Sequence, residues 1–369
     1  MSRVLLLNRD FHYHGGVSNV LLTLARENHR QKRVELYCAS LQEPSEAMRS
    51  AFGQLKIDLH CIGDHRYFKP AMALRKILRS EKIDVVVACS FKAILVAKIA
   101  TIGLRCQIVH YIHAVDLVIE GNAKKKLFAW LSKNDPMLFV SRTVERAHRP
   151  EGHRGPGAVI YNGVQDPLSD PNSQPYPKSF RRELGVPEDA LLFCYVGAFI
   201  PWKDHATTLR AFEMLDSQLN AHLMLIGKDE PGSTVQQQVA AMNNPRIHII
   251  APRPDARRIL GTVDIYVHSS RREGFGLAVV EAMLAGRPIV ATREGAFLEY
   301  IEDGQTGLLA NAGDPQSFAD KMEMLASDKN LAARIAAAGR EECLKRFSPA
   351  KCANEVFDFL DVIVAKPNM

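Results

Sequence analysis

Short, continuous apolar runs alternate along the whole chain with segments of helical period. In the first half the runs lie at residues 4–8, 34–39, 55–61, 84–89, 107–112, 137–140 and 158–161. In the second half they lie at 191–196, 222–227, 246–250, 264–268, 288–291 and 306–309. Runs of this length without polar alternation predict strands buried on both faces. Strands that alternate with helices predict parallel sheets with right-handed crossovers. Both halves read this way, so the chain is expected to be α/β, with two doubly wound Rossmann-like domains facing across a cleft.

The 369 residues are too many for one ordinary core and suit two. Residues 163–179 carry four prolines and little apolar content, which marks a linker. The expected domains are therefore 1–165 and 180–348. With 47% hydrophobic and 24% charged residues the composition is that of a soluble globular protein. No apolar run is long enough to span a bilayer. The N-terminus reads as a first strand rather than a signal peptide. Seven scattered cysteines without a C-x-x-C spacing predict free thiols, a cytoplasmic setting and no structural metal site.

The densest chemistry lies at 270–292, after the run 264–268. Gly274, Phe275, Gly276 and Leu277 open a helix that should end at Gly286, with Pro288 entering the next strand. Glycines there let backbone N–H groups approach an anion, and the helix N-terminus adds a favourable dipole, so this is a diphosphate seat. Glu281, about one turn into the helix, can accept hydrogen bonds from ribose hydroxyls. Glu273, just before the turn, can reach the hydroxyls of a sugar beyond the diphosphate. Gly15 and Gly16 sit between the first strand and a helix expected near Ser18, where a turn would aim backbone N–H groups outward. His113 ends the run 107–112; His110, inside that run, reads as a core residue.

The Glu273 to Glu281 segment resembles the E-x7-E signature of the retaining glycosyltransferases of family 4, which have the GT-B fold. Other segments agree in order. These are Gly15-Gly16-Val17-Ser18-Asn19, Asp135 to Ser141, Val159 to Val164, Val196 to Asp204, Asp303 to Leu308 and Phe347-Ser348. The resemblance implies an N-terminal acceptor-binding domain, with a last helix at 349–365 packing back on it, and a C-terminal nucleotide-sugar domain. It implies that Lys203 neutralises the donor diphosphate and that Gly16 contacts donor or acceptor. It also implies that His113 lies near the reacting carbon and that the loop with Arg253 holds the nucleobase. The family places an arginine directly after the first glycine of the Gly197 loop, where this chain has Ala198; Arg253, Arg271, Arg272 and Arg293 are candidate replacements. Glu273 and His113 take the catalytic roles, orienting and stabilising the donor. Gly16, Lys203, Arg253, Gly274, Phe275, Gly276, Leu277 and Glu281 bind it. The chain has no Asp-x-Asp triplet, which agrees with metal-free activation and no cofactor.

The implied reaction moves a sugar from a nucleotide-diphosphate sugar, uridine favoured over guanosine, to an acceptor hydroxyl in polysaccharide, lipopolysaccharide or glycolipid synthesis. Two rivals stay open: an epimerase of the same fold, and a binding protein without turnover. Within a net charge of +6, a basic stretch with interleaved Leu127, Phe128, Trp130 and Leu131 runs from Lys124 to Lys133. It suits either a solvated helix packed on the sheet or a contact with an anionic membrane surface near a lipid-linked acceptor. The second alternative would make the protein peripheral on the inner face of the cytoplasmic membrane. Nothing suggests nucleic-acid binding.

Overall fold

The computed structural model describes residues 1–12, 15–115, 122–149, 152–169 and 174–365. The chain divides into two compact units, Met1–Gly163 with Pro349–Met369, and Val164–Ser348.

Among the described residues the first unit holds a seven-stranded parallel sheet. Its strands are β1 (Arg3–Asn8), β2 (Glu35–Ser40), β3 (Leu59–Cys61), β4 (Val85–Ala88), β5 (Gln107–Ile112), β6 (Met137–Phe139) and β7 (Gly157–Val159), in the order β3-β2-β1-β4-β5-β6-β7. The connecting helices are α1 (Gly16–Gln31), α2 (Glu46–Gly53), α3 (Phe68–Ser80), α4 (Phe91–Thr101), α5 (Asn122–Leu131) and α6 (Arg142–His148). Val85, Val86, Val87 and Ala88 of β4 are all buried, which is why the sequence shows no alternation there. Ala71, Leu74 and Leu78 of α3, Ala93, Ile94 and Ala97 of α4, and Phe128 of α5 share one apolar cluster with the sheet.

The second unit repeats the plan with six parallel strands. They are β8 (Leu191–Val196), β9 (Ala221–Ile226), β10 (Ile247–Ile250), β11 (Ile265–His268), β12 (Ile289–Thr292) and β13 (Leu308–Ala310), in the order β10-β9-β8-β11-β12-β13. Its helices are α7 (His205–Glu213), α8 (Val235–Met242), α9 (Ala256–Ile259), α10 (Leu277–Leu284), α11 (Pro315–Ser327) and α12 (Lys329–Arg346). The closing helix α13 (Pro349–Ala365) belongs to the first unit and packs on α1. There Arg33 reaches both Asp358 and Asp361 at 2.8 Å.

Two boundaries differ from the expectation. The run 55–61 yields a strand only from Leu59, because the turn that closes α2 takes up its first residues. The Phe52 carbonyl accepts the Ile57 N–H at 3.0 Å, and Lys56 turns the chain with φ of 60°. Helix α1 begins at Gly16 rather than near Ser18, with Gly15 as its N-cap; the Ser18 hydroxyl instead accepts from the His12 N–H at 3.2 Å.

Candidate functional site

In both sheets the strand order reverses direction beside the first strand of the unit, between β1 and β4 and between β8 and β11. The carboxyl ends of strands at such a switch point are where open α/β sheets take ligands. In the second unit that edge gathers most of the predicted residues. Lys203 stands in a 3-10 turn, Pro201–Lys203, that follows β8. Glu273 lies in the loop that follows β11. The two meet in an ion pair, both largely buried. Long-range contacts hold the two loops together. The Arg271 N–H donates to the Trp202 carbonyl at 2.9 Å, the Tyr195 hydroxyl donates to the Lys203 carbonyl at 2.9 Å, and Arg271 Nε pairs with Asp204 at 2.7 Å.

Below Glu273 lies His268, the last residue of β11, with Nε2 3.3 Å from the Glu273 carboxylate and Nδ1 3.3 Å from the Tyr266 hydroxyl. Burial would raise the Glu273 carboxyl, but the Lys203 charge and the His268 hydrogen bond prevail and hold it down at about 2. Burial, with the Lys203 charge, pushes His268 down to about 4. At neutral pH the pair is therefore an anion beside a neutral imidazole. An ionised carboxylate only accepts, so the proton sits on Nε2 and donates to Glu273; Nδ1 is then an acceptor facing the Tyr266 hydroxyl, whose O–H also reaches the Val196 carbonyl at 3.3 Å. The His268 ring stacks on Tyr195 at 4.5 Å, and His205 covers Tyr195 from 4.3 Å. These rings fix the floor of the site.

Gly276 is the N-cap of α10 and adopts φ of 83°. A Cβ there would stand 2.5 Å from the Phe297 ring, so both backbone and space require glycine. Gly295, with φ of 59°, comes so close to the Glu273 backbone that a Cβ would lie 2.8 Å from its carbonyl oxygen; the Ala296 N–H donates to that oxygen at 3.2 Å. Phe275 is buried against Tyr300 and Phe347, and its carbonyl accepts the Tyr300 hydroxyl at 2.7 Å. Its side chain therefore anchors the turn rather than facing the strand ends. Gly274 and Leu277 complete the turn that presents the first N–H groups of α10.

Glu281 is the one charged residue of an otherwise apolar α10, and it pairs with Arg257 of α9 at 2.6 Å. Arg253 does not join that pair: its guanidinium grips Asp255 at 2.6 and 2.7 Å. Of the candidate replacements for the arginine absent at Ala198, Arg271 is bound beside Lys203 through Asp204, while Arg293 pairs with Asp303.

In the first unit Gly16 opens α1 after β1, and His113 follows β5. His113 rests on Tyr111 with ring centroids 4.1 Å apart. Burial pushes it down to about 3, so it is uncharged at neutral pH. Its Nε2 is shielded from water and has no protein partner among the described residues. His110 is fully buried, 2.9 Å from Asp135, and belongs to the core. The side chains of Lys124, Lys125 and Leu127 lie outside the described residues; Trp130 of the same helix is 73% exposed.

Sequence reasoning missed His268, Tyr195, Arg257 and Asp204. Of these, only His268, at the end of a strand three residues before the Arg271-Arg272-Glu273 turn, carries a local signal. Among the described residues no group of three or more His, Cys, Asp or Glu side chains is arranged to hold a metal ion.

Two Rossmann-like units, one with paired cations and acids at its switch point, define an α/β protein of GT-B type. The Glycosyltransferase Family 4 profile matches residues 14–166, and the profile of Glycosyl transferases group 1 matches 178–342. The chain belongs to this glycosyltransferase family. It is 24% identical to N-acetyl-alpha-D-glucosaminyl L-malate synthase of Bacillus anthracis, over 69% of this chain and 67% of that one. It is 28% identical to the lipopolysaccharide core biosynthesis glycosyltransferase LpsE of Rhizobium meliloti, over 51% and 54%. The chain spans about half to two thirds of the length of the curated relatives it matches. The crystal structure of Anabaena Alr3699/HepE in complex with UDP-glucose has the same fold, with a TM-score of 0.85, 22% identity, and 98% of this chain and 100% of that one covered.

Proposed function

We propose that this protein transfers a sugar from a nucleotide-diphosphate sugar to an acceptor hydroxyl with retention of anomeric configuration. The observation that carries the reading is the Lys203–Glu273 pair beside the N-terminus of α10, an acid and a cation at the end of a helix capped by a glycine. In this reading Lys203 and the amides of Gly274, Phe275, Gly276 and Leu277 take the diphosphate, and Glu281 takes the ribose. Glu273, held ionised, accepts hydroxyls of the donor sugar and faces the positive charge that develops at its anomeric carbon. Arg253 stands on the nucleobase loop. Gly16 and the uncharged His113 are the contribution of the first unit. With its free Nε2, His113 hydrogen-bonds a sugar hydroxyl without adding charge.

The acceptor oxygen bonds to the anomeric carbon on the face from which the diphosphate leaves. The carbon–phosphate-oxygen bond breaks, and the acceptor proton passes to the departing phosphate oxygen. No protein nucleophile is consumed. Uridine diphosphate is the favoured leaving group; UDP and UDP-glucose occupy the structurally similar Anabaena protein. The acceptor is a saccharide or a lipid-linked one, and the segment from Lys124 to Lys133 is suited to the membrane surface that would carry the latter.

Mixing the protein with labelled UDP- and GDP-sugars, with and without saccharide acceptors, tests the reading through released nucleotide and the anomeric configuration of the product. Release of free UDP is expected. An inverted product would refute retention, and the absence of release with every donor would leave a binding protein.

A further inference from the structure

Helix α3 buries Ala71, Leu74 and Leu78 in the first unit and turns a very different face outward. Phe68, Met72 and Lys76, each four residues apart, form one stripe, flanked by Lys69 and Arg79. Phe68 is 68% exposed, and Tyr67 and Met72 are exposed beside it. Ile102, 69% exposed at the end of α4, is tied to the same face, because Arg75 donates to the Ala100 and Ile102 carbonyls at 2.8 and 2.6 Å. Met72, Arg75, Lys76, Arg79 and Ser80 line a hollow of about 360 Å³. From His65 to Lys82 six cations face one acid, Glu81. Arg66, Lys69, Lys76, Arg79 and Lys82 are exposed and make no ion pair among the described residues.

Exposed apolar side chains next to unpaired cations select a partner that is apolar within and anionic at its surface. A protein face would offer acids in fixed places, whereas a row of cations in open water fits a diffuse field of phosphates. We propose that α3 docks the first unit on an anionic lipid bilayer. Tyr67, Phe68, Met72 and Ile102 enter the boundary between headgroups and acyl chains. Lys69, Lys76 and Arg79 engage phosphates, one of them over the hollow beside Arg75. Phe128 of α5 lies in the same apolar cluster as α3, so α5 with its exposed Trp130 belongs to the same layer; α3 carries the main contact and α5 a lesser one. The docking does not depend on sugar transfer and is read without substrate.

The test is co-sedimentation of the full chain with vesicles of phosphatidylcholine alone or mixed with phosphatidylglycerol. Binding is expected only with phosphatidylglycerol and should fall as salt is raised. Each cation facing an anionic leaflet strengthens binding by roughly fivefold. Lys76→Glu with Arg79→Glu should therefore weaken it by more than about twentyfold. Phe68→Ser with Met72→Ser should weaken it even at low salt. Lys126→Glu with Trp130→Ser should have the smaller effect. All these side chains are exposed, so melting temperatures should stay unchanged. The proposal is overturned by any of three results: no binding to the anionic vesicles, loss only in the α5 variant, or a concentration-dependent dimer that Phe68→Ser dissolves.

Discussion

The two units share a sheet order about their first strands and yet equip their ligand edges in opposite ways. At the edge of β8 and β11 every central charge is already paired: Lys203 with Glu273, Arg257 with Glu281, Arg271 with Asp204. In the first unit the strand ends carry instead a glycine turn after β1 and, after β5, a histidine that burial keeps neutral, with one nitrogen unpartnered among the described residues. Paired charges on rigid loops hold their geometry before a ligand arrives and suit an anion such as a diphosphate. A neutral imidazole with an unsatisfied nitrogen suits a hydroxyl-rich acceptor or sugar, whose O–H groups can both donate and accept, without a large desolvation cost. One fold thus carries a charged edge in one unit and an uncharged one in the other.

The comparison breaks most readily at Lys203. Lys203→Ala should lower transfer by about a hundredfold or more and cost about 3 kcal/mol of stability, because it leaves Glu273 buried without its cation. Rate assays and thermal melts check both. A melting temperature equal to that of the native protein would show that the pair is not preorganised. Gly276→Ala follows, at about 2 kcal/mol, from the left-handed backbone and the Phe297 contact together. It should also weaken UDP binding, measured by calorimetry, since the helix N-terminus must shift.

Next is Glu281→Ala, expected to cost about 1.5 kcal/mol in UDP affinity with little loss of stability, the pair with Arg257 being partly exposed. Unchanged affinity would remove the ribose role. His113→Ala should lower kcat about tenfold and leave UDP affinity alone; a change confined to UDP affinity would erase the contrast between the two edges.

The response to acid is spread over several buried groups and builds up gradually with pH. His113 and His205 titrate at about 3 and His268 at about 4 in the folded protein, against 6.5 when unfolded. The unfolded chain therefore binds protons first. The stability these groups contribute is complete above pH 6.5 and is lost as pH falls toward their folded values, at up to about 1.4 kcal/mol per pH unit for each. Glu273, lowered from 4.5 to about 2, adds its own loss only below pH 4.5. Melts across this range should decline from pH 6.5 downward, and His268→Gln should reduce the slope. A flat profile down to pH 5 would mean that the buried imidazoles are hydrated.

By itself the sequence determined the two parallel sheets, because strands buried on both faces leave continuous apolar runs such as Val85 to Ala88. It also determined where α10 starts, because Gly276 is required by local backbone conformation, and the closing helix at Pro349–Ala365, from the resemblance to the family. Those signals act over a few neighbouring residues and survive in one dimension. It could not determine that residues 55–58 would be taken up by the turn after α2, since an apolar run does not record which carbonyl accepts its first N–H. The tertiary structure alone decided the partners of the acids. Lys203 and Glu273 are seventy residues apart, and Arg257 reaches Glu281 from another helix. An ion pair is a matter of distance in space, and loops that close a switch point bring together side chains whose separation along the chain carries no sign of it.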